Sequence, residues 1–260
     1  MKIEGRTILI TGASSGIGLA TAKAMAERGG YIILLARNKN ALDEAVSGII
    51  AQGGRAVSYP VDLSISKAVD QVAEIIHRNV GFVDTIVNNA GAGRWQFVEE
   101  TDPEDAVQMM AVPYLAAFYI TRAFLPAMLE RDEGHIVNIT SLAAYAPWAG
   151  ATGYTAARWA MRGFSEALRA DIYGTNLKVT LFTPGEVNSP YWKNNSVSRD
   201  RIPKIGKLFP KMTPEKVAKS IVKSVENNKR EVIVPLSLRM TVGLHRIFPF
   251  ITEWLINQTR

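Results

Sequence analysis

The chain has 260 residues, 47% hydrophobic and 21% charged, with a formal net charge of +6, a length and composition that suit one large α/β domain with a substantial core. It contains no cysteine, so disulfides, thiolate metal sites and cysteine nucleophiles are excluded, and its three histidines, His77, His135 and His245, are scattered and form no ligand cluster. The basic excess is not gathered into an arginine-rich run with interleaved aromatics, so no nucleic-acid partner is expected, and Met1 to Arg6 lacks the charged and then apolar layout of a secretory signal, which points to a cytoplasmic or cytosol-facing protein.

Short runs rich in β-branched residues alternate with helical periodicity along the chain. In chain order the pattern predicts a strand over Thr7–Thr11, a helix over Ile17–Arg28, a strand over Tyr31–Ala36, a helix over Asn40–Gln52, a strand over Ala56–Pro60 and a helix over Ser66–Arg78. A strand over Thr85–Asn88, one long helix over Pro103–Glu130, a strand over His135–Thr140, a helix over Thr152–Tyr173, a strand over Lys178–Phe182, a helix over Pro214–Asn227 and a strand over Glu231–Pro235 complete it. Such alternation implies a single doubly wound α/β domain over residues 1–260, with parallel strands, right-handed crossovers and helices on both faces. Ligands are then expected beyond the carboxyl ends of the strands. The longest irregular stretch, about 186–212, is rich in Pro, Asn, Ser and Lys, and a loop of that length inside a compact domain is expected to be a functional lid.

Thr11-Gly12-Ala13-Ser14-Ser15-Gly16-Ile17-Gly18 follows an apolar strand and opens an apolar helix, the context a dinucleotide pyrophosphate needs. Gly12, Gly16 and Gly18 let the backbone turn tightly and approach phosphates, with Ser14, Ser15 and Ile17 completing the cradle, while the helix start offers unpaired N–H groups and a positive dipole end. The spacing departs from the commoner Gly-x-Gly-x-x-Gly, and an ordinary glycine-rich turn is the alternative. The second strand ends at Ala36-Arg37, about 20 residues after the glycines, where such folds read the adenosine ribose. No acid is present there to hold the 2′-hydroxyl of NAD; Arg37 offers a planar fork suited to a 2′-phosphate, so NADP(H) is expected, unless Arg37 merely opens a solvated helix with Lys39. Asp62, followed by Leu63, accepts from an adenine amine or caps the next helix, two compatible roles.

Further along, Asn88-Asn89-Ala90-Gly91 puts small and amide residues directly after a strand, where a tight turn explains the glycine equally well. Ser141 lies just beyond another strand end, Tyr154 follows near the start of a helix, and Arg158 lies one helical turn after it. Residues at i and i+4 share a face, so a guanidinium lies close to a phenol and favours its charged form.

The glycine loop, Asn88-Asn89-Ala90-Gly91, Ser141, Tyr154 and the turn Pro184-Gly185-Glu186-Val187-Asn188-Ser189, in this order and spacing, resemble the short-chain dehydrogenase/reductase family over Gly5 to Pro235. The resemblance implies a Rossmann domain of seven parallel strands, a nicotinamide dinucleotide cofactor, and hydride transfer between that cofactor and a carbonyl or alcohol. It also implies that Ser141 hydrogen-bonds the substrate oxygen, that Tyr154 passes the proton, that Val187 and Ser189 meet the nicotinamide carboxamide, and that Asn89 packs against the adenosine side. Tyr154 and Arg158 then touch the cofactor as well as the substrate, and a homodimer or homotetramer is built on the helix that carries them.

Two positions depart from the family's Asn, Ser, Tyr, Lys tetrad. Arg158 stands where the family has lysine; it keeps the charge and can hold ribose hydroxyls, but it effectively never gives up a proton. Pro113 stands where the asparagine is expected; a proline inside a helix bends it, and its own carbonyl can imitate that of the asparagine. An NADP(H)-dependent oxidoreductase and a nicotinamide-binding sensor or scaffold with impaired catalysis therefore both stand as readings. Trp95, Phe97, Leu142, Tyr145, Trp148, Tyr191 and Trp192 give the site an apolar, aromatic lining suited to a hydrophobic small-molecule carbonyl or alcohol. The extension 236–260 mixes basic and large apolar residues at partly helical spacing; it reads as a lid, an oligomer contact or a peripheral membrane contact, and not as a span.

Overall fold

The structure, a computed structural model, describes residues 2–257 apart from 92, 190, 192–194, 196, 197, 199, 200, 204, 205, 207 and 208. The expected strands form as β1 (Thr7–Thr11), β2 (Tyr31–Ala36), β3 (Arg55–Pro60), β4 (Thr85–Asn88), β5 (His135–Ile139), β6 (Lys178–Pro184) and β7 (Glu231–Val234). They pair in one seven-stranded sheet of order β3-β2-β1-β4-β5-β6-β7, parallel at every ladder. β6 runs two residues beyond its expected end, because Thr183 and Pro184 remain in register with Ile233 and Val234 of β7.

Parallel strands need covered faces, since each crossover carries a helix over the sheet. Ile8, Ile10, Ile32 and Leu34 pack on one face under α1 (Gly16–Ala26), α2 (Lys39–Ala51) and α7 (Pro214–Glu226). Leu9, Ile33, Ile86 and Ile136 point the other way and pack under α3 (Ser66–Asn79), α5 (Ala116–Glu130) and α6 (Thr152–Asp171). The period-2 alternation of strand side chains thus splits one apolar run between two cores.

The expected single helix over Pro103–Glu130 is instead broken into α4 (Pro103–Met110), a π-turn over Ala111–Leu115, and α5. Val112 leaves helical geometry at φ −135°, ψ 107°, because the residue preceding a proline is pushed out of the αR region. The bend expected at Pro113 is therefore present one residue earlier. Beyond β7 the chain forms α8 (Leu236–Ile247) and α9 (Pro249–Asn257), two helices that pack on each other.

His135, at the start of β5, is buried. The Thr180 hydroxyl donates to the Lys229 carbonyl, so its oxygen accepts from His135 Nε2 at 2.8 Å. Burial pushes the imidazole pKa down to about 4, so the folded ring stays neutral where an unfolded one, near 6.5, takes up a proton. Between those values the unfolded chain binds more protons, and stability is lost as pH falls through the window, by up to about 3 kcal/mol. Urea unfolding of the wild type at pH 7 and pH 4.5 is expected to show this loss, and His135→Gln to show a distinctly shallower one.

Candidate active site

The carboxyl ends of β1 to β6 open into one cleft of about 980 Å³. At its floor the glycine loop turns through left-handed backbone at Gly12, φ 64°, and Gly16, φ 55°. A Cβ on Gly12 would stand 2.9 Å from Ala90 Cα, so the loop and the turn after β4 touch backbone to backbone. Asn89 holds them together: its side-chain amide donates to the carbonyls of Thr11 (2.9 Å) and Gly12 (3.3 Å), and Thr11 Oγ1 accepts from the N–H groups of Asn89 (3.0 Å) and Ala90 (2.9 Å). Its amide nitrogen is thus a strut between strands, although the residue also lines the cleft. Ser15 precedes α1 in extended geometry without a side-chain cap, which leaves the first-turn N–H groups of α1 for an anionic group.

Gly12, Ser14, Ser15, Gly16, Ile17, Arg37, Asp62, Leu63, Asn89, Ser141, Tyr154, Arg158, Val187 and Ser189 all line this cleft. Gly18 does not. A Cβ there would stand 2.3 Å from the Gly12 carbonyl oxygen and 2.6 Å from Asn89 Nδ2, so Gly18 packs against the loop from behind. At the end of the cleft beside β2, Asn38 caps α2 by accepting from the Ala41 N–H at 3.1 Å, which leaves Arg37 outside the helix and exposed on the cleft wall. Asp62 Oδ1 accepts from the Ser64 hydroxyl (2.7 Å) and N–H (3.0 Å); these bonds hold its pKa below the usual carboxylate value, with the Arg37 charge adding to them. Asp62 therefore braces the turn before α3 from within the cleft wall.

At the opposite end, Ser141 follows β5 and its Oγ accepts from the Ala143 N–H at 3.4 Å. Tyr154, in the first turn of α6, is buried among aromatic rings, with Trp95 at 5.6 Å and Trp148 at 6.5 Å between centroids. The Arg158 guanidinium lies 4.9 Å from the Tyr154 ring centre. It is 6% exposed, and Nη1 donates to the Ile139 carbonyl at 3.4 Å while Nε has no partner among the described residues. A buried cation without a carboxylate is expensive unless something else satisfies it. Two glycines make its place: a Cβ on Gly91 would stand 2.7 Å from Arg158 Nη2, and one on Gly93 would stand 2.7 Å from Tyr154 Cδ2. Gly91 thus lies in close approach to the far end of the Arg158 side chain.

Not every residue expected here belongs to the site. Pro113 is buried, its carbonyl accepts from the Ala116 N–H, and it does not line the cleft, whereas Val112 does. Tyr145 points away, because the short 3-10 turn Leu142–Ala144 carries it round to Glu231, to which its hydroxyl donates at 2.7 Å; burial and that carboxylate raise its pKa. Phe97 lies under the Arg201 guanidinium, 5.0 Å from its ring centre, outside the cleft. Trp192 lies outside the described residues, while Trp95, Leu142, Trp148 and Tyr191 do line the cleft.

The segment 186–212 is pinned at its root, where Val187 bridges Met212, the Met212 N–H donates to Glu186 and the Asn188 N–H donates to Met212, both at 2.9 Å. Its described residues fasten to the far wall. Tyr191 donates its hydroxyl to the Gly93 carbonyl at 3.1 Å, Ser198 Oγ accepts from the Trp95 N–H at 2.9 Å, and Arg201 pairs with Glu100. Tyr191 is half-buried, and its partial burial, with the neighbouring Tyr154, raises its pKa.

A sheet of this order with a glycine cradle at the β1/β4 switch point defines a dinucleotide-binding α/β protein. Residues 6–200 match the model of the family described as short chain dehydrogenase, and the chain belongs to the short-chain dehydrogenase/reductase family. It is 32% identical over 258 residues, 98% of this chain and 84% of the other, to a fatty acyl-CoA reductase of Acinetobacter baylyi. It is likewise 32% identical to a 17-beta-hydroxysteroid dehydrogenase 13 of Rattus norvegicus, over 95% of this chain and 81% of that one. Among solved structures, a metagenomic short-chain oxidoreductase in complex with NADP is 30% identical, with a TM-score of 0.75 over 90% of this chain and 98% of that one.

The close packing behind the glycine loop sets a stability test. Gly18→Ala is expected to cost about 1–3 kcal/mol by overpacking against backbone. Gly48→Ala, in mid-α2 with open space around it, is expected to be neutral or to stabilise by up to about 1 kcal/mol. Urea unfolding of the two variants beside the wild type reads both.

Proposed function

We propose that this protein transfers a hydride between NADP(H) and a hydrophobic ketone or its secondary alcohol. The observation that carries the reading is the buried Arg158 guanidinium, paired with no carboxylate among the described residues and set beside Tyr154 in an aromatic-walled cleft. A guanidinium so placed binds the hydroxyls of a ribose and stabilises negative charge developing on the Tyr154 oxygen.

The residues present fit a nicotinamide dinucleotide. The uncapped start of α1 and the Gly12–Gly16 cradle take the pyrophosphate, Arg37 takes a 2′-phosphate, Asp62 and Leu63 border the adenine, and Val187 and Ser189 border the nicotinamide. When bound, the nicotinamide supplies or accepts the hydride. Tyr154 donates its proton to the substrate oxygen during reduction and accepts one during oxidation, while Ser141 donates a hydrogen bond that polarises the carbonyl. Trp95, Trp148 and Tyr191 exclude water and receive an apolar substrate, in keeping with relatives named for fatty acyl-CoA and hydroxysteroid chemistry. The segment 186–212 acts as the lid. Phe118 on α5 and Trp159 on α6, both left exposed, form the surface for a homodimer, and the protein faces the cytosol.

Consumption of NADPH with a panel of hydrophobic ketones tests the reading. Tyr154→Phe is expected to lower kcat by at least about 100-fold with little change in NADPH affinity, and Arg37→Ala to weaken NADPH binding by about tenfold or more while leaving NADH binding nearly unchanged. Undiminished turnover by Tyr154→Phe contradicts the proton role, and unchanged NADPH affinity in Arg37→Ala contradicts the cofactor choice. Nucleotide binding without turnover of any ketone by the wild type favours a sensor or scaffold.

A further inference from the structure

The cleft does not end at Ser141 and Tyr154. It is also walled by Leu142 of the turn after β5, Leu238 and Thr241 of α8, Thr252 and Ile256 of α9, and Phe209. Leu142 and Phe209 pack against the apolar cluster that holds Leu238, and a Cβ on Gly185 would stand 3.7 Å from Leu238 Cδ2. The inner side of the α8–α9 hairpin therefore abuts the two strand ends that deliver Ser141 and Val187. Leu238, Thr252 and Ile256 are buried and Thr241 is half-buried, so this part of the cleft is an arm within the protein and not an outer face of the hairpin.

We propose that this arm holds an aliphatic chain that extends from the reacting carbonyl and ends without a polar group, so that the substrate is a long-chain ketone or its secondary alcohol. The polar inventory of the arm carries the inference. Among the described residues, the charged side chains that line the cleft are Arg37, Asp62, Arg94, Asp105, Arg158 and Glu186, none of them on the hairpin or the turn after β5. The two threonines spend their protons at home. Thr241 donates to the Ser237 carbonyl at 3.1 Å and Thr252 to the Pro249 carbonyl at 2.9 Å, the local back-bonding that helical threonines favour. An oxygen carried to this end would be buried without a side-chain donor among the described residues, which is costly, whereas each buried methylene is favourable. A compound polar at both ends is thus disfavoured. Aromatic rings, Trp95 and Trp148, crowd Tyr154 at the reacting end, while the arm is aliphatic apart from Phe209. That Ser141 and Tyr154 hold the carbonyl rests on the proposed function; the lining of the arm does not.

Calorimetric titration of the full chain with 2-alkanones, from 2-butanone to 2-decanone, with and without NADP+, tests it without any turnover. Affinity is expected to rise about threefold for each added methylene until the arm is filled, and 10-hydroxy-2-decanone is expected to bind at least about tenfold more weakly than 2-decanone. Thr241→Phe, which narrows the arm from its half-buried position, is expected to lower the ratio of long-chain to short-chain affinity about tenfold, with unchanged circular dichroism. Should that variant disturb the fold, the comparison of 2-decanone with its hydroxylated counterpart on the wild type carries the same test. Affinity independent of chain length overturns the proposal, as do equal binding of the two decanones, an unaltered chain-length dependence in a folded Thr241→Phe, and no binding of any ketone. Binding that climbs with chain length but no NADPH consumption sustains the arm and contradicts the proposed function. Turnover of short ketones with no gain from a longer chain does the reverse.

Discussion

A chain of buried hydrogen bonds beneath the cleft sets the position of everything above it. Thr11 at the end of β1 accepts from Asn89 and Ala90 after β4. Asn88, at the end of β4, donates to Asn138 Oδ1 at 2.8 Å, and Asn138 Nδ2 donates to Ser165 of α6 at 2.9 Å. Buried polar groups demand partners, and here the partners lie on successive elements, so the demand fixes β1, β4, β5 and α6 relative to one another. Thr140 adds a bond from its hydroxyl to the Arg158 carbonyl at 3.0 Å. The helix bearing Tyr154 and Arg158 is thereby tied to the strand end that delivers Ser141.

This frame accounts for the arginine in place of a lysine. A longer, planar cation needs space, and that space is made on the neighbouring turn, where Gly91 offers no Cβ to Arg158 Nη2 and Gly93 none to Tyr154. The cation is held by one long bond to a carbonyl and by the face of the Tyr154 ring, and its Nε is buried without a partner among the described residues. A proline at position 113 has a more local effect. It breaks the helix at Val112 and brings Val112, not its own carbonyl, to the cleft wall.

Much of this was legible in the sequence. Fully buried parallel strands announce themselves as short β-branched runs, and glycines at 12 and 16 mark the turn where only they fit. What the pattern concealed follows from physics that periodicity does not carry. The break at Val112 comes from a restriction that Pro113 imposes on its predecessor, so an apolar helical run reads as continuous across it. Tyr145 follows Ser141 closely in sequence, yet one turn of 3-10 helix sends it to Glu231. Gly18 belongs to the motif, but its need is a contact with the Gly12 carbonyl that only the folded loop creates. The α8–α9 hairpin blurred into a partly helical tail because residues on opposite sides are both apolar.

The central claim is that the cleft at the carboxyl edge of the sheet holds a nicotinamide dinucleotide through the glycine loop, Arg37 and Arg158. Thermal unfolding with and without NADPH tests it most directly, since a ligand that binds only the folded chain stabilises it by about 2.7 kcal/mol at a hundred times its Kd. The account predicts a Tm that rises with NADPH concentration. A Tm unmoved by saturating amounts of both NADPH and NADH would contradict it.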